Sequence, residues 1–400
     1  MTDGRGGPLA GLKIVEFAGI GPLPMCAMML ADHGADVIRI DRPEPSGLGI
    51  ARPTRYDFTN RGRSSVAIDL KSRAGMACVL DLIAGADALI EGFRPGTMER
   101  LGLGPETCFA GNPRLVYGRL SGWGQSGPLA AAAGHDLNYI AIAGVLGAVG
   151  RAGAPPTPPL NLVGDFGGGA MMLAFGVVAA LLEARRSGRG QVVDAAVSDG
   201  AATLMTSLYG LAAAGLHGAP RGGNLLDSGA PHYDVYQCAD GGWISIAPIE
   251  PKFRAELLRR IGLDPATFPD VTDPGHWPAA RQRLAETFKT RSRDAWCALL
   301  EGTDACFAPV LSMAEAEAHP HNRARDTFVS VGGIGQPAPA PRFARTPAPL
   351  PTPPEAPGQS SRAALTRWGI APDRIDSLVG SGVVREATPT TADTAPQRET

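Results

Sequence analysis

The chain reads as an α/β protein, with a large domain built on a Rossmann-like parallel sheet and a smaller α+β domain after it. Three observations lead there. Short β-rich runs alternate with helical patterns through the first half, as expected of strand–helix–strand units whose strands run parallel. Near Asn224 the character changes, and two strand-like runs flank a turn signal. At 400 residues, 44% hydrophobic and 19% charged, the chain can bury more core than a single domain usually holds.

In order, residues 13–17, 36–41, 65–69, 87–91 and 115–120 read as strands, with helices over 25–33 and 75–83 between them. Ligands in such sheets gather at the carboxyl ends of strands, where this reading puts Arg39, Arg42, Lys71 and Arg94. Gly19-Ile20-Gly21 is followed by Pro22-Leu23-Pro24, so the dinucleotide fingerprint is missing, as are a P-loop and a GxSxG elbow. Runs at 233–238 and 243–248 around Ala239-Asp240-Gly241-Gly242 read as a hairpin. Helices are expected after Pro251 and over 277–288 and 293–300, and a strand over 307–311. The expected organisation is a large domain at 8–223, a small one at 224–330 and a proline-rich connector at 331–358. C-terminal helices at 359–385 should pack back on the large domain, and 386–400 should be a disordered tail.

A formal charge of −2 and a pI near 6.4 give no electrostatic case for nucleic acid or an anionic membrane. The six cysteines, Cys26, Cys78, Cys108, Cys238, Cys297 and Cys306, form no CxxC or Cys/His ligand spacing, which argues against structural zinc and a disulfide framework. The first residues lack the apolar core of a secretory signal, the apolar run at 170–182 is too short to span a bilayer, and the last residues are not a peroxisomal address. A cytoplasmic location is the expectation.

Two glycine-edged segments carry the chemistry. Gly134-His135-Asp136-Leu137-Asn138-Tyr139 holds an imidazole. Thirty residues on, Asn161-Leu162-Val163-Gly164-Asp165-Phe166-Gly167-Gly168-Gly169 holds a carboxylate. Histidine can take and return a proton near neutral pH. Asp165 is expected just before the apolar helical stretch that starts at Ala170, where free N–H groups and the helix dipole favour an ionised acid. The same N–H groups could hold an oxyanion, and the glycines could let a ligand approach the backbone. Locally, each residue also has an ordinary reading: a helix-capping Asp on a glycine turn, and a structural His. Arg39, Arg42, Arg52, Arg55, Arg61, Arg63, Lys71 and Arg73 form a basic run that suits the phosphates of a nucleotide ligand, or simply a solvated face.

These segments, with Val37-Ile38-Arg39-Ile40-Asp41-Arg42-Pro43, Glu91-Gly92-Phe93-Arg94-Pro95-Gly96, Ala247-Pro248-Ile249-Glu250-Pro251-Lys252-Phe253 and Thr303-Asp304-Ala305-Cys306, resemble the family III CoA-transferase (CaiB/BaiF) superfamily. Within it they are most similar to the branch of α-methylacyl-CoA racemases. The likeness runs from Gly11-Leu12 to about Arg342-Phe343. It implies that His135 and Asp165 are acid/bases on either side of the substrate α-carbon, that Glu250 orients His135, and that Tyr233, with Asn161 nearby, supports the carboxylate. His232 stands before Tyr233 where relatives often have another residue. For coenzyme A the likeness points to Arg42, Ala67, Ile68, Leu70, Lys71, Gly92, Arg94, Gly134, Asp136 and Tyr139.

The activity so implied is racemisation of a 2-methylacyl-CoA thioester by two-base proton transfer through an enolate, with no cofactor beyond the CoA of the substrate and no metal. The partner implied is a second copy of the chain in an interlocked homodimer. Two other readings remain: a CoA-transferase with Asp165 as nucleophile, against which His135 counts, and a non-catalytic acyl-CoA-binding protein. Met171, Met172, Met205 and Leu225-Leu226 are candidates for an acyl-chain surface or for plain core.

Overall fold

The structure, a computed structural model, describes residues 6–44 and 47–387. Six strands run parallel: Lys13–Phe17 (β1), Asp36–Asp41 (β2), Ser64–Ile68 (β3), Ala88–Glu91 (β4), Val116–Ser121 (β5) and Gln191–Ala196 (β6). Their spatial order is β3-β2-β1-β4-β5-β6. From β1 the chain builds outward through β2 to β3, then returns to lay β4, β5 and β6 on the other side. The order therefore reverses between β1 and β4, the switch point beside which ligands gather at the carboxyl ends of such strands.

Because helices cover both faces, the inner strands are buried on both sides rather than alternating, and Ile14, Val15, Phe17, Ile38, Leu89 and Ile90 are all buried. Leu23, Cys26 and Leu30 of helix Pro22–Asp32 pack with Leu173 and Val177 of helix Met172–Ser187 on one face. Val79 and Leu82 of helix Arg73–Ala84, with Leu365, Trp368 and Leu378, close the other. Each such large side chain contributes about 1.5–3 kcal/mol. The first helix starts at Pro22, three residues earlier than its apolar pattern indicates, since proline is pre-set for a first turn whose N–H groups need no helical partner.

The chain divides into two compact units. One comprises residues up to 143, 160–204 and 328 onward; the other comprises Gly144–Pro159 and Met205–Thr327. In the second, Asp234–Gln237 (β7), Trp243–Ile246 (β8) and Phe307–Val310 (β9) form an antiparallel sheet. The β7–β8 hairpin turns at Gly241, whose φ of +82° suits glycine. Tyr236, Ile244, Leu257, Leu284, Phe288 and Trp296 make the core of this unit.

Returning to the first unit, Phe328–Val331 (β10) and Ile334–Pro337 (β11) form a hairpin, and the proline-rich segment follows without regular structure. It is held to the sheet at several points: Thr352 O accepts from Gly62 N–H at 3.0 Å, and the Glu355 carboxylate accepts from Ser65 N–H at 2.8 Å. Helices Ser361–Arg367 and Pro372–Gly380 lead to Val384–Arg385 (β12), which pairs antiparallel with β3 and covers that sheet edge. The expected tail, 386–400, lies outside the described residues beyond residue 387.

The apolar run read at 170–182 belongs to a longer helical stretch, Leu162–Ser187, of 26 residues. Among the described residues it is the one helix long and apolar enough to cross a membrane, yet it packs along β5 and β6 with Leu173, Val177 and Leu181 buried.

Candidate active site

His135 occupies the N-cap position of helix Asp136–Ile142. Its N–H donates to Asn138 Oδ1 at 3.1 Å and its carbonyl accepts from Asn138 N–H at 2.8 Å, which fixes the turn and leaves the residue exposed. Asp165 does not precede its helix as the sequence reading has it. It sits within a π-helical segment, Leu162–Met171, that runs directly into helix Met172–Ser187. A wider turn of this kind is costly and recurs at functional sites.

The glycines account for how that turn packs. A Cβ on Gly168 would stand 2.6 Å from Ala201 N, and a side chain on Gly200 would strike the Gly168 carbonyl. These glycines therefore let helix Val197–Leu204 meet the turn backbone to backbone, where the sequence had suggested room for a ligand. On the other side is Gly21, at φ +67°, whose Cβ would lie 3.2 Å from Asp165 Oδ2. Sequence reasoning missed Gly21, although Gly19-Ile20-Gly21-Pro22 after a strand was its signal.

Asp165 is half-buried and accepts a hydrogen bond from Asn161, while its own N–H donates to Asp136 Oδ1 at 2.6 Å. Its pKa is pushed up to about 6, by burial first and then by the negative charge of Asp136; the Asn161 bond and His135 oppose the shift. Burial thus outweighs the Asn161 hydrogen bond and the His135 charge, which favour the ionised acid. Tyr139 stands edge-on to Trp123, with centroids 4.7 Å apart, and its hydroxyl donates to Gly134 O. Burial and Asp165 raise its pKa and Arg94 lowers it, so Arg94, Tyr139, Asp136, His135 and Asp165 act on one another at one end of the sheet.

Of the residues assigned to CoA, Arg42, Lys71, Gly92 and Arg94 are exposed at or just after the ends of β2, β3 and β4. Ala67 and Ile68 are buried in β3 between β2 and β12, and Leu70 packs on the core. Three members of the basic run are internal. Arg39 pairs with Asp41 at 2.7 Å, Arg61 with Asp32 at 2.6 Å and Arg63 with Glu16 at 2.9 Å, all buried, so none of the three is a solvated or phosphate-binding residue in this fold.

Glu250 and Tyr233 belong to the second unit. Glu250 is the exposed N-cap residue of helix Pro251–Arg260, and Tyr233 closes a turn by donating its N–H to Ala230 O at 3.2 Å. Beside it, His232 is buried, and burial together with Arg254 lowers its pKa to about 4.

Residues 9–360 match the profile of CoA-transferase family III. The chain belongs to the family III CoA-transferases. Among relatives of this family III protein is the α-methylacyl-CoA racemase of Mus musculus, 43% identical over 379 residues, covering 94% of this chain and 97% of that one. The racemase of Homo sapiens is 41% identical over 381 residues, with the same two coverages, 94% and 97%. A crystal structure of a CaiB/BaiF family protein from Brucella suis superposes with a TM-score of 0.78 at 25% identity, covering 91% of this chain and 100% of that one. The mixed α/β architecture of this family III member is thus that of CaiB/BaiF proteins.

Proposed function

We propose that the protein is a racemase that interconverts the (2R) and (2S) forms of 2-methylacyl-CoA thioesters, with His135 and Asp165 as its two bases. The observation that carries this reading is that exposed His135, at a helix start, and half-buried Asp165, on the π-helical turn that bonds to the next residue, Asp136, lie within electrostatic reach of one another in a family III CoA-transferase fold. The likeness to two racemases over nearly the whole chain supports it.

The chemistry follows from the acidity of a C–H beside a thioester. Removing that proton leaves an enolate, whose oxygen needs a donor. The N–H groups at the start of helix Asp136–Ile142 have the required character, whereas the glycine-rich turn is packed against helix Val197–Leu204 and its Asp165 N–H is bonded to Asp136. One base takes the proton from one face and the other returns one to the opposite face, so C2 inverts. The pair shares one proton, as His⁺/Asp⁻ or His/AspH, and the two forms serve the two directions. No cofactor is needed beyond the CoA of the substrate. Arg42, Lys71, Gly92, Arg94 and the Gly134–Asp136–Tyr139 turn are the residues we assign to holding it, with Ala67, Ile68 and Leu70 shaping the strand end.

We further propose that Glu250 and Tyr233 reach the site from a second copy in an interlocked dimer. Supporting this, Met171, Phe175, Val178 and Leu182 follow a 4-3-4 spacing on one helix face, and all are exposed, Phe175 by 74%. Sedimentation of the purified protein should give two chains per particle; a monomer at micromolar concentration would contradict it. The six unpaired cysteines suit a reducing compartment, and we assign the enzyme to the cytoplasm.

Since both forms carry one proton, kcat/KM should be bell-shaped in pH with the same limbs in both directions. Uptake of a second proton removes the only base. With Asp165 raised to about 6, activity should fall as pH drops through about 6, rather than near the ordinary aspartate value of 3.8. An acid limb near 4 would contradict the assignment.

Incubating a 2-methylacyl-CoA in D₂O without an acceptor acid tests the reading. The racemase takes up deuterium at C2 and inverts it. A transferase stays silent until a carboxylic acid is added, and a binding protein stays silent throughout.

A further inference from the structure

Two acid/bases on opposite faces of one carbon work only if their separation is held, since misplacement by about 1 Å can cost on the order of 10² in rate. His135 and Asp165 lie on separate segments, and one side chain joins those segments. Asp136 follows His135 directly and is 8% exposed. Its Oδ1 accepts the N–H of Asp165 at 2.6 Å, 29 residues along the chain, a short bond of the charge-assisted kind. The approach is built in: a Cβ on Gly164 would overlap Asp136 Oδ1 and stand 2.7 Å from Ile140 Cγ2.

We infer that the Asp136 side chain is a positioning residue, fixing the π-helical turn of Asp165 against the helix start of His135 rather than only lining the CoA site. The inference rests on the two-base reading above. It also sets the charge around Asp165, which is faced by Asp136, His135, Asn161 and Tyr139, with Arg94 acting on Tyr139. A neutral group that keeps the oxygen in place would preserve the spacing and remove the charge.

Asp136→Ala and Asp136→Asn separate these effects in the full-length protein. Racemisation kcat, KM and pH profile are read alongside CoA-ester Kd and Tm. Asp136→Ala should lower kcat about 100-fold, with at most a few-fold rise in KM from the altered CoA turn. Asp136→Asn should restore most of kcat, with its acid limb moved to lower pH because one negative neighbour of Asp165 is gone. A wild-type kcat in Asp136→Ala, or losses confined to KM and Kd with an unmoved acid limb, would overturn the inference. If Asp136→Ala does not fold, the acid limb of Asp136→Asn decides alone: moved supports it, unmoved overturns it. Absence of C2 exchange in the wild-type protein would instead overturn the two-base reading, and this inference with it.

Discussion

Replacing Asp165 with Ala should lower kcat for racemisation about 10²–10⁴-fold, the usual contribution of one positioned acid/base, and leave CoA-ester Kd within a few-fold of wild type. His135→Ala should do the same. On the proposed mechanism each base serves one face of C2, so inversion needs both, whereas CoA would be held by other residues. Asp165 is suited to the task because burial and Asp136 bring its pKa to about 6, where it both donates and accepts a proton near neutral pH. A variant of either residue that racemised at the wild-type rate would refute the two-base assignment.

Arg63→Met should be the most destabilising single change outside the site. Both Arg63 and Glu16 side chains are 0% exposed, and Arg63 Nη1 lies 2.9 Å from each Glu16 oxygen and 3.1 Å from Pro24 O. Its Nη2 donates to Asn60 Oδ1 at 2.8 Å and to Thr59 O. Burial already pushes the Glu16 carboxyl up to about 7 with Arg63 in place, so removing the cation leaves this acid buried without its bonded partner, at a cost of about 3–5 kcal/mol. At about 2–4 °C per kcal/mol for a domain of this size, Tm should fall by roughly 6–20 °C. The double variant Glu16→Leu with Arg63→Met removes both charges and should lose less than the single one. A single variant melting within about 1 °C of wild type would contradict this account of the pair.

Five of the six parallel strands were legible because buried strands such as Ile14-Val15 and Val37-Ile38 read as short apolar runs, with boundaries that hold to within about a residue; β6 was not read, and its first four residues are exposed or half-buried. The β7–β8 hairpin was legible from Asp240-Gly241-Gly242. Strand β12 was not, because two residues carry no alternation to read. The π-helical turn was hidden for a related reason: its period differs from the α-helical one, and triple glycine suggests a loop when read locally. What determines its shape is Gly200 and Ala201, more than thirty residues beyond Asp165. Clustered arginines looked alike in sequence, but Arg39 is buried against Asp41 two residues along its own strand, Arg61 and Arg63 meet internal carboxylates contributed by distant segments, and Arg42 and Arg94 remain exposed. His135 and Asp165 were singled out by residue type, whereas the hydrogen bond from Asp165 N–H to Asp136 needed the fold.

The most direct test follows deuterium at C2 in D₂O, starting separately from pure (2R) and pure (2S) thioester, with Asp165→Ala and His135→Ala. With one base on each face, each variant should still exchange the C2 proton of a single enantiomer without inverting it, and the enantiomer exchanged by one variant should be the one that the other leaves untouched. Exchange of the same enantiomer by both variants, or inversion by either at the wild-type rate, would contradict the account.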